Sequence, residues 1–413
     1  MAEAHDYCAK PDLLEVNEAE SQIQSAIQPI DEIQVLPLKH CLNRILAEDI
    51  TATMNIPRER NSSMDGYALA FADLQKNNRY LRVVGTSWAG QPFERTIKTG
   101  ECVRIFTGAV LPENTDTVII QEQVTRSADS IYFQAETILG DNVRYPGESI
   151  KQGSTVMTTG TQLSPAEIGM LASLGILSLK VYRQLRVAFF STGDELVSLT
   201  ESLQSGQLYD SNRYSLNALL EQAGAIPIDM GVVPDNPDQL RDTLITAANA
   251  SDVIISTGGA SVGDADFIQP VMDSIGQLEF WKLAIKPGKP LVFGKIQHTP
   301  FFGLPGNPVS VMVTFMILVR PALFKRMGKQ ACQSLQIKVP ITQSIRRKPG
   351  RQEYQRGILN IDNNQLQVTA LSTQGSHILN SMVRANCFIV IPAKTHVIDA
   401  GENVFVLPFS TDL

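Results

Sequence analysis

Residues 252–264, "DVIISTGGASVGD", and residues 186–196, "RVAFFSTGDEL", decide how this chain is read. Each runs from a short apolar stretch into Ser-Thr-Gly and then into acidic residues. An apolar run of that length, closed by glycine, reads as a buried strand. Helical patterns lie between and around them. "DSNRYSLNALLEQAG" (210–224) has capping residues, apolar spacing at Leu216, Leu219, Leu220 and Ala223, and a terminal glycine. "NPDQLRDTLITAANA" (236–250) opens on Asn236–Pro237, and a further helix is expected near 265–275. "IPIDMGVV", "PLVFG" and "PFFGL" read as strands, and another helix starts at Pro308. Strands alternating with helical crossovers imply a parallel, doubly wound sheet.

In such sheets ligands bind at the carboxyl ends of strands, where turns and helix starts present backbone N–H groups. Ser191, Thr192, Gly193, Ser256, Thr257, Gly258 and Gly259 are expected on that rim. "FFGLPGNPVS" (301–310) ends a third strand of the same edge. Its Pro305 and Pro308 fix φ and would hold the Gly306 and Asn307 backbone rigidly, with free helix-start amides facing a ligand. One such turn alone is an ordinary strand-to-helix connection; three on one edge point to an anion cradle.

Carboxylates accompany these turns: Asp194, Glu195, Asp235, Asp264 and Asp266. They serve as helix caps or, beside an anion, as holders of a bridging Mg²⁺, with Asp235 and Asp266 the candidate metal ligands. "WKLAIKPGKP" (281–290) sets Lys282, Lys286 and Lys289 around a Pro-Gly turn, where lysines act as point-charge anchors for phosphate.

The flanks have a different rhythm. Residues 12–50 read as a helix followed by short extended pieces. Residues 51–150 are short β-rich runs between Gly, Pro and Asn turns, and "QSLQIKVPITQSI" onward returns to strands. Around 150–183 a helix is expected with Ser164 as N-cap and Pro165 at its first position. A chain of 413 residues suits two to four domains of about 100–200 residues each. A net charge of −7 disfavours a general nucleic-acid binder, so an anionic ligand must be caught locally. The acidic N-terminus lacks an apolar signal region, and the apolar run 311–319 is short of the roughly 20 residues that span a bilayer. Five scattered cysteines without a C-x-x-C pair suit reduced thiols in a cytoplasmic protein rather than a disulfide framework or structural zinc. "NSSMDGYA" (61–68) and "RIFTGAVLP" (104–112) demand no chemistry on their own; Asp before Gly is ordinarily a turn.

Taken together with "GQLYDSNRYSL", "FWKLAIKPGKP", "PGRQEYQRG" and "TQGSHILNSM", these motifs resemble the MoeA family of molybdopterin molybdenumtransferases, related to the E domain of gephyrin. The resemblance covers nearly the whole chain. It implies a multidomain α/β plus β protein, with a central doubly wound, MogA-like α/β domain flanked by mostly β domains in an elongated molecule. Residues 1–51 and 150–183 would form a discontinuous hinge domain, 52–149 an inserted β-rich domain, 184–328 the α/β molybdopterin-binding domain, and 332–413 a C-terminal β domain. Homodimers are implied, with a cleft combining the α/β domain of one subunit and β domains of the other. The implied reaction takes adenylylated molybdopterin and molybdate to molybdenum cofactor and AMP with Mg²⁺, the last step of that biosynthesis. Adenylyltransferase and recipient apoproteins are the implied contacts.

By resemblance Asp65, Thr107, Glu195, Asp235 and Asp266 are needed for activity. Lys282, Lys286, Arg351 and Ser376 bind substrate or molybdate, and Pro305 and Pro308 shape the cleft; Ser261 falls with Asp194 and the Ser-Thr-Gly residues in the substrate set. Two positions depart from the family pattern. Ser149 stands in "PGES" where an aspartate is usual, and Glu59-Arg60 replaces Phe-Asp before "S-x-MDGYA". A molybdopterin adenylyltransferase or a CinA-like nucleotide hydrolase resembles the α/β domain alone, but the motifs at 61–68 and 349–376 disfavour both. A gephyrin-like scaffold would need an appended domain.

Overall fold

The computed structural model describes residues 13–75, 79–134, 136–259, 267–330 and 335–410. They form two compact units. The larger takes the described residues of 1–34, 43–47 and 181–413, and the smaller takes 35–42 and 48–180. Helix α1 (Val16–Ala26) belongs to the larger unit and turns Val16, Ala19 and Ile23 into its core.

The smaller unit is built on six strands: β1 (Gly66–Leu69), β2 (Tyr80–Ser87), β3 (Glu101–Ile105), β4 (Thr117–Ile120), β5 (Val124–Ser127) and β6 (Ser130–Phe133). Their order is β4-β1-β3-β2-β6-β5. Alternation along β1 sends Tyr67 and Leu69 into one apolar cluster and Ala68 into another, so both faces are covered. Helix α2 (Pro165–Ser173) starts as its sequence requires. The Ser164 hydroxyl accepts from Ala166 N at 3.2 Å, and the Glu167 carboxylate accepts from Ser164 N at 2.8 Å.

The larger unit carries the expected doubly wound sheet. Its elements are β7 (Arg186–Thr192), α3 (Ser211–Gln222), β8 (Ile226–Val233), α4 (Pro237–Ala250), β9 (Val253–Thr257), α5 (Ile268–Ile275), β10 (Gly276–Lys282), β11 (Ile285–Lys286), β12 (Pro290–Ile296) and β13 (Thr299–Leu304). The sheet order is β8-β7-β9-β13-β12-β10. Pairing is parallel from β8 to β13. It turns antiparallel at β13–β12 and β12–β10, which corrects the wholly parallel expectation. The reason is local: only Gln297 and His298 separate β12 from β13, enough for a hairpin and far too few for a crossover.

The unbroken apolar runs follow from burial on both faces. Val187, Phe189, Val253 and Ile255 point to the side covered by α1 and α3, while Ala188, Phe190 and Ile254 point to α4 and α5. Burying each such phenylalanine stabilises the fold by about 1.5–3 kcal/mol. Helix α6 (Pro308–Thr314) continues through a π-helical turn, Phe315–Val319, into α7 (Arg320–Arg326). By length and composition residues 308–326 could cross a bilayer, yet 61% of the apolar window is packed inside the unit.

The C-terminal part adds β14 (Ile337–Pro340), β15 (Gln352–Asp362), β16 (Gln365–Ala370), β17 (Cys387–Ile391) and β18 (Asn403–Pro408). They assemble as β11-β15-β17-β18-β14, with β16 also on β15. The short β11 therefore stitches the lysine-bearing turn of the α/β part onto β15, Lys286 opposite Glu353.

Candidate active site

A cleft of about 1080 Å³ opens within the larger unit at the carboxyl ends of β7, β9 and β13. The three strand-end turns line it as expected: Thr192 and Gly193, Thr257 to Gly259, and Pro305 to Pro308. Gly258 has φ +84°, and a Cβ there would stand 2.4 Å from the Thr192 carbonyl oxygen, so no side chain fits between these two turns. Thr192 is buried, and among the described residues its hydroxyl has no hydrogen-bond partner.

The turn after β13 is held from two sides. Gly258 N donates to Leu304 O at 3.2 Å, and the Asn212 side-chain amide donates to Gly306 O at 2.7 Å. The expectation of free amides at the start of α6 needs one correction. Val309 N donates to Ser376 O at 3.1 Å, because the 374–377 loop packs on that helix start. That loop is itself fixed by the fully buried Arg356. Its guanidinium donates to Gly375 O at 3.2 Å and to the Ser381 hydroxyl at 3.1 Å, and its backbone exchanges bonds with the Gln374 side chain. Burial lowers the Arg356 pKa to about 10.

One wall is acidic. Glu195 and Asp235 line the cleft, and Asp194 accepts from Asp235 N at 3.1 Å. Burial, then the neighbouring charges of Asp194 and Glu195, push the Asp235 carboxyl up. Among the described residues none of these three carboxylates has an ion-pair partner, and no group of three or more His, Cys, Asp or Glu side chains could hold a metal ion. Asp266, Asp264 and Ser261 lie outside the described residues. The same cleft is also lined by the cations Lys286, Lys289 and Arg351, together with Ser376 and His377.

Four expected residues are placed away from the cleft wall. Ser191 and Ser256 are buried within the sheet, Ser191 sharing a hydrogen bond with the Thr257 hydroxyl at 2.9 Å. The expectation put them on the rim; alternation along strands that are covered on both faces turns them inward instead. Asp194 bonds behind the rim, and Lys282, at the end of β10, is not among the lining residues. Tyr209, Asp210, Asn212, Gln374 and His377 do line the cleft and were not singled out for it. Asp210 reads from sequence as the cap of α3, and it is one, accepting from Arg213 N at 3.1 Å.

Asp65 and Thr107 lie in the smaller unit, where they meet each other. The Thr107 amide and hydroxyl both donate to one Asp65 oxygen at 2.8 Å. Those two bonds, with Arg104 nearby, hold the half-exposed Asp65 carboxyl below its usual range. Ser149 is exposed in the same unit.

Three stretches of the chain match described protein regions. Residues 14–175 match "MoeA N-terminal region (domain I and II)", residues 188–325 match "Probable molybdopterin binding domain", and residues 338–409 match "MoeA C-terminal region (domain IV)". A Haemophilus influenzae protein named molybdopterin molybdenumtransferase is 43% identical over 401 residues, 96% of this chain and 99% of that protein. One of the same name from Nostoc is 34% identical, covering 98% of this chain and 95% of its own length. The crystal structure of a molybdopterin biosynthesis moeA protein from Pyrococcus horikoshii superposes with a TM-score of 0.84 at 29% identity, covering 96% of this chain and 100% of that one. With matches along its full length and a strand-end cleft built from the family's motifs, the chain belongs to the MoeA family.

Proposed function

We propose that this protein is a molybdopterin molybdenumtransferase, which inserts molybdate into adenylylated molybdopterin with release of AMP in the last step of molybdenum cofactor synthesis. The observation that carries the reading is the cleft's composition: strand-end backbone turns, carboxylates and a set of cations lining one cavity. Lys286, Lys289 and Arg351 suit a phosphate or an oxyanion as charge anchors. The close-packed turns at Gly258 and Gly306 let backbone approach a ligand where a side chain would stand in the way.

The donor set fits Mg²⁺ in one specific manner. Two cleft carboxylates, Glu195 and Asp235, have no ion-pair partner among the described residues, and burial, then the charges of Asp194 and Glu195, make Asp235 resist ionisation. Two carboxylates are what Mg²⁺ ordinarily takes from a protein, with substrate phosphate and water completing its shell. Bound there, the ion would neutralise charge developing on the phosphoanhydride. Raising Mg²⁺ should therefore move the acid limb of the pH–turnover profile to lower pH.

We also infer a homodimer in which Asp65 and Thr107 of one subunit complete the cleft of another. Val35, Leu42, Met170 and Leu177 stand 41–86% exposed on the smaller unit, apolar surface that suits a protein contact. Buried thiols rather than disulfides at Cys41, Cys102 and Cys387 suit a reducing, cytoplasmic setting.

The test is incubation with adenylylated molybdopterin, molybdate and Mg²⁺ while AMP is measured. AMP release that needs both ions supports the reading. AMP release independent of molybdate overturns it in favour of a hydrolase, and formation of adenylylated molybdopterin from ATP overturns it in favour of an adenylyltransferase.

A further inference from the structure

We propose that Glu353 is a positioning residue for the anion-binding wall of the cleft, tying Lys286 and, through Arg347, Arg351 into one prearranged unit. The inference rests on the reading of that wall given above.

Glu353 sits on β15, and only 4% of its side chain is exposed. One oxygen meets Lys286 Nζ at 3.0 Å and accepts from the Gln355 amide at 3.3 Å. The other faces Arg347 Nε at 3.0 Å, an ion pair that lacks hydrogen-bond alignment. Arg347 is equally buried and donates to the Arg351 carbonyl at 2.6 Å and the Pro392 carbonyl at 2.9 Å. The register explains the convergence: parallel pairing of β11 with β15 puts Lys286 directly opposite Glu353 and Ile285 opposite Gln352, next to Arg351.

A lysine that is 49% exposed would ordinarily sample many rotamers and lose that freedom when an anion binds. Tethered to a buried carboxylate, Lys286 loses it on folding instead, and among the described residues nothing else takes its ammonium donors. The count of charges keeps the wall attractive, because one carboxylate faces two cations beside the further charge of Arg351. Immobilising one long side chain in advance is worth about two- to twelvefold in affinity.

The experiment is a double-mutant cycle on AMP release, with KM for adenylylated molybdopterin as the readout and thermal melts as control. Glu353→Gln should raise KM about two- to twelvefold, and in a Lys286→Ala background the same change should raise KM by a smaller factor, through Arg347 and Arg351 alone. Glu353→Asp keeps the buried charge for Arg347 but withdraws it from Lys286, so it should raise KM while preserving the melting point, and it serves if Glu353→Gln does not fold. An unchanged KM in both Glu353 variants overturns the proposal, as does an effect of Glu353→Gln that persists in full without Lys286. A Lys286→Ala protein with wild-type KM overturns the reading of the wall itself.

Discussion

Gly306→Ala isolates what the stiff turn after β13 does. Its backbone has no positive φ, and a Cβ built there meets only the Gly258 Cα, at 3.8 Å, an ordinary contact. Alanine should therefore be tolerated, and removing glycine's freedom from the unfolded chain should stabilise by about 0.4–1 kcal/mol. Gly258→Ala is the contrasting case. Its φ of +84° and a methyl 2.4 Å from the Thr192 carbonyl force a backbone shift, at a cost of at least about 1–2 kcal/mol for the dihedral alone. The Gly306 methyl stands in the cleft wall, and pushing a bound phosphate outward by about 1 Å can cost on the order of a hundredfold in rate. The pair should thus separate: Gly306→Ala with a melting point equal or slightly raised and turnover down by up to about a hundredfold, Gly258→Ala with both reduced. Differential scanning calorimetry and AMP release on the same preparations decide it. Wild-type turnover in Gly306→Ala would refute close approach of ligand to this turn.

Three more outcomes are expected. Pro305→Ala/Pro308→Ala should lose about 0.4–1 kcal/mol per site yet bind substrate much more weakly in calorimetric titration; wild-type affinity with a much lower melting point would leave the corner a structural turn. Burial alone would push the Asp252 carboxyl up, but the bidentate Arg183 contact at 2.8–2.9 Å and the Arg186 amide hold it below the usual carboxylate range. Its contribution is present above the ordinary carboxylate pKa and is lost as pH falls through the depressed folded pKa, so Asp252→Asn, which leaves Arg183 its Glu32 partner, should cost about 1–3 kcal/mol at pH 7 and flatten the acid side of a stability–pH curve. Ser149→Asp should raise turnover or leave it unchanged; a large loss would show that this exposed corner is organised around serine.

The strand-helix alternation, the helix starts at Ser164, Asn236 and Pro308, and the Ser-Thr-Gly turns were legible in sequence because each depends on neighbours within a few residues. Proline fixes φ, Ser and Asn cap, and apolar runs demand cover on both faces, wherever the rest of the chain goes. What only the tertiary structure decided depends on partners far along the chain. Whether Ser191 faces the cleft or the sheet is set by strands β8 and β9 on either side of β7. The amide of Val309 is taken by Ser376, some seventy positions on, and Lys286 is answered by Glu353 through a two-residue strand too short to announce itself. In "PGRQEYQRG" Glu353 looks like any polar residue of an alternating strand. Only the fold, by burying it between two cations, makes its charge compulsory, since an unpaired carboxylate at that depth would be far too costly.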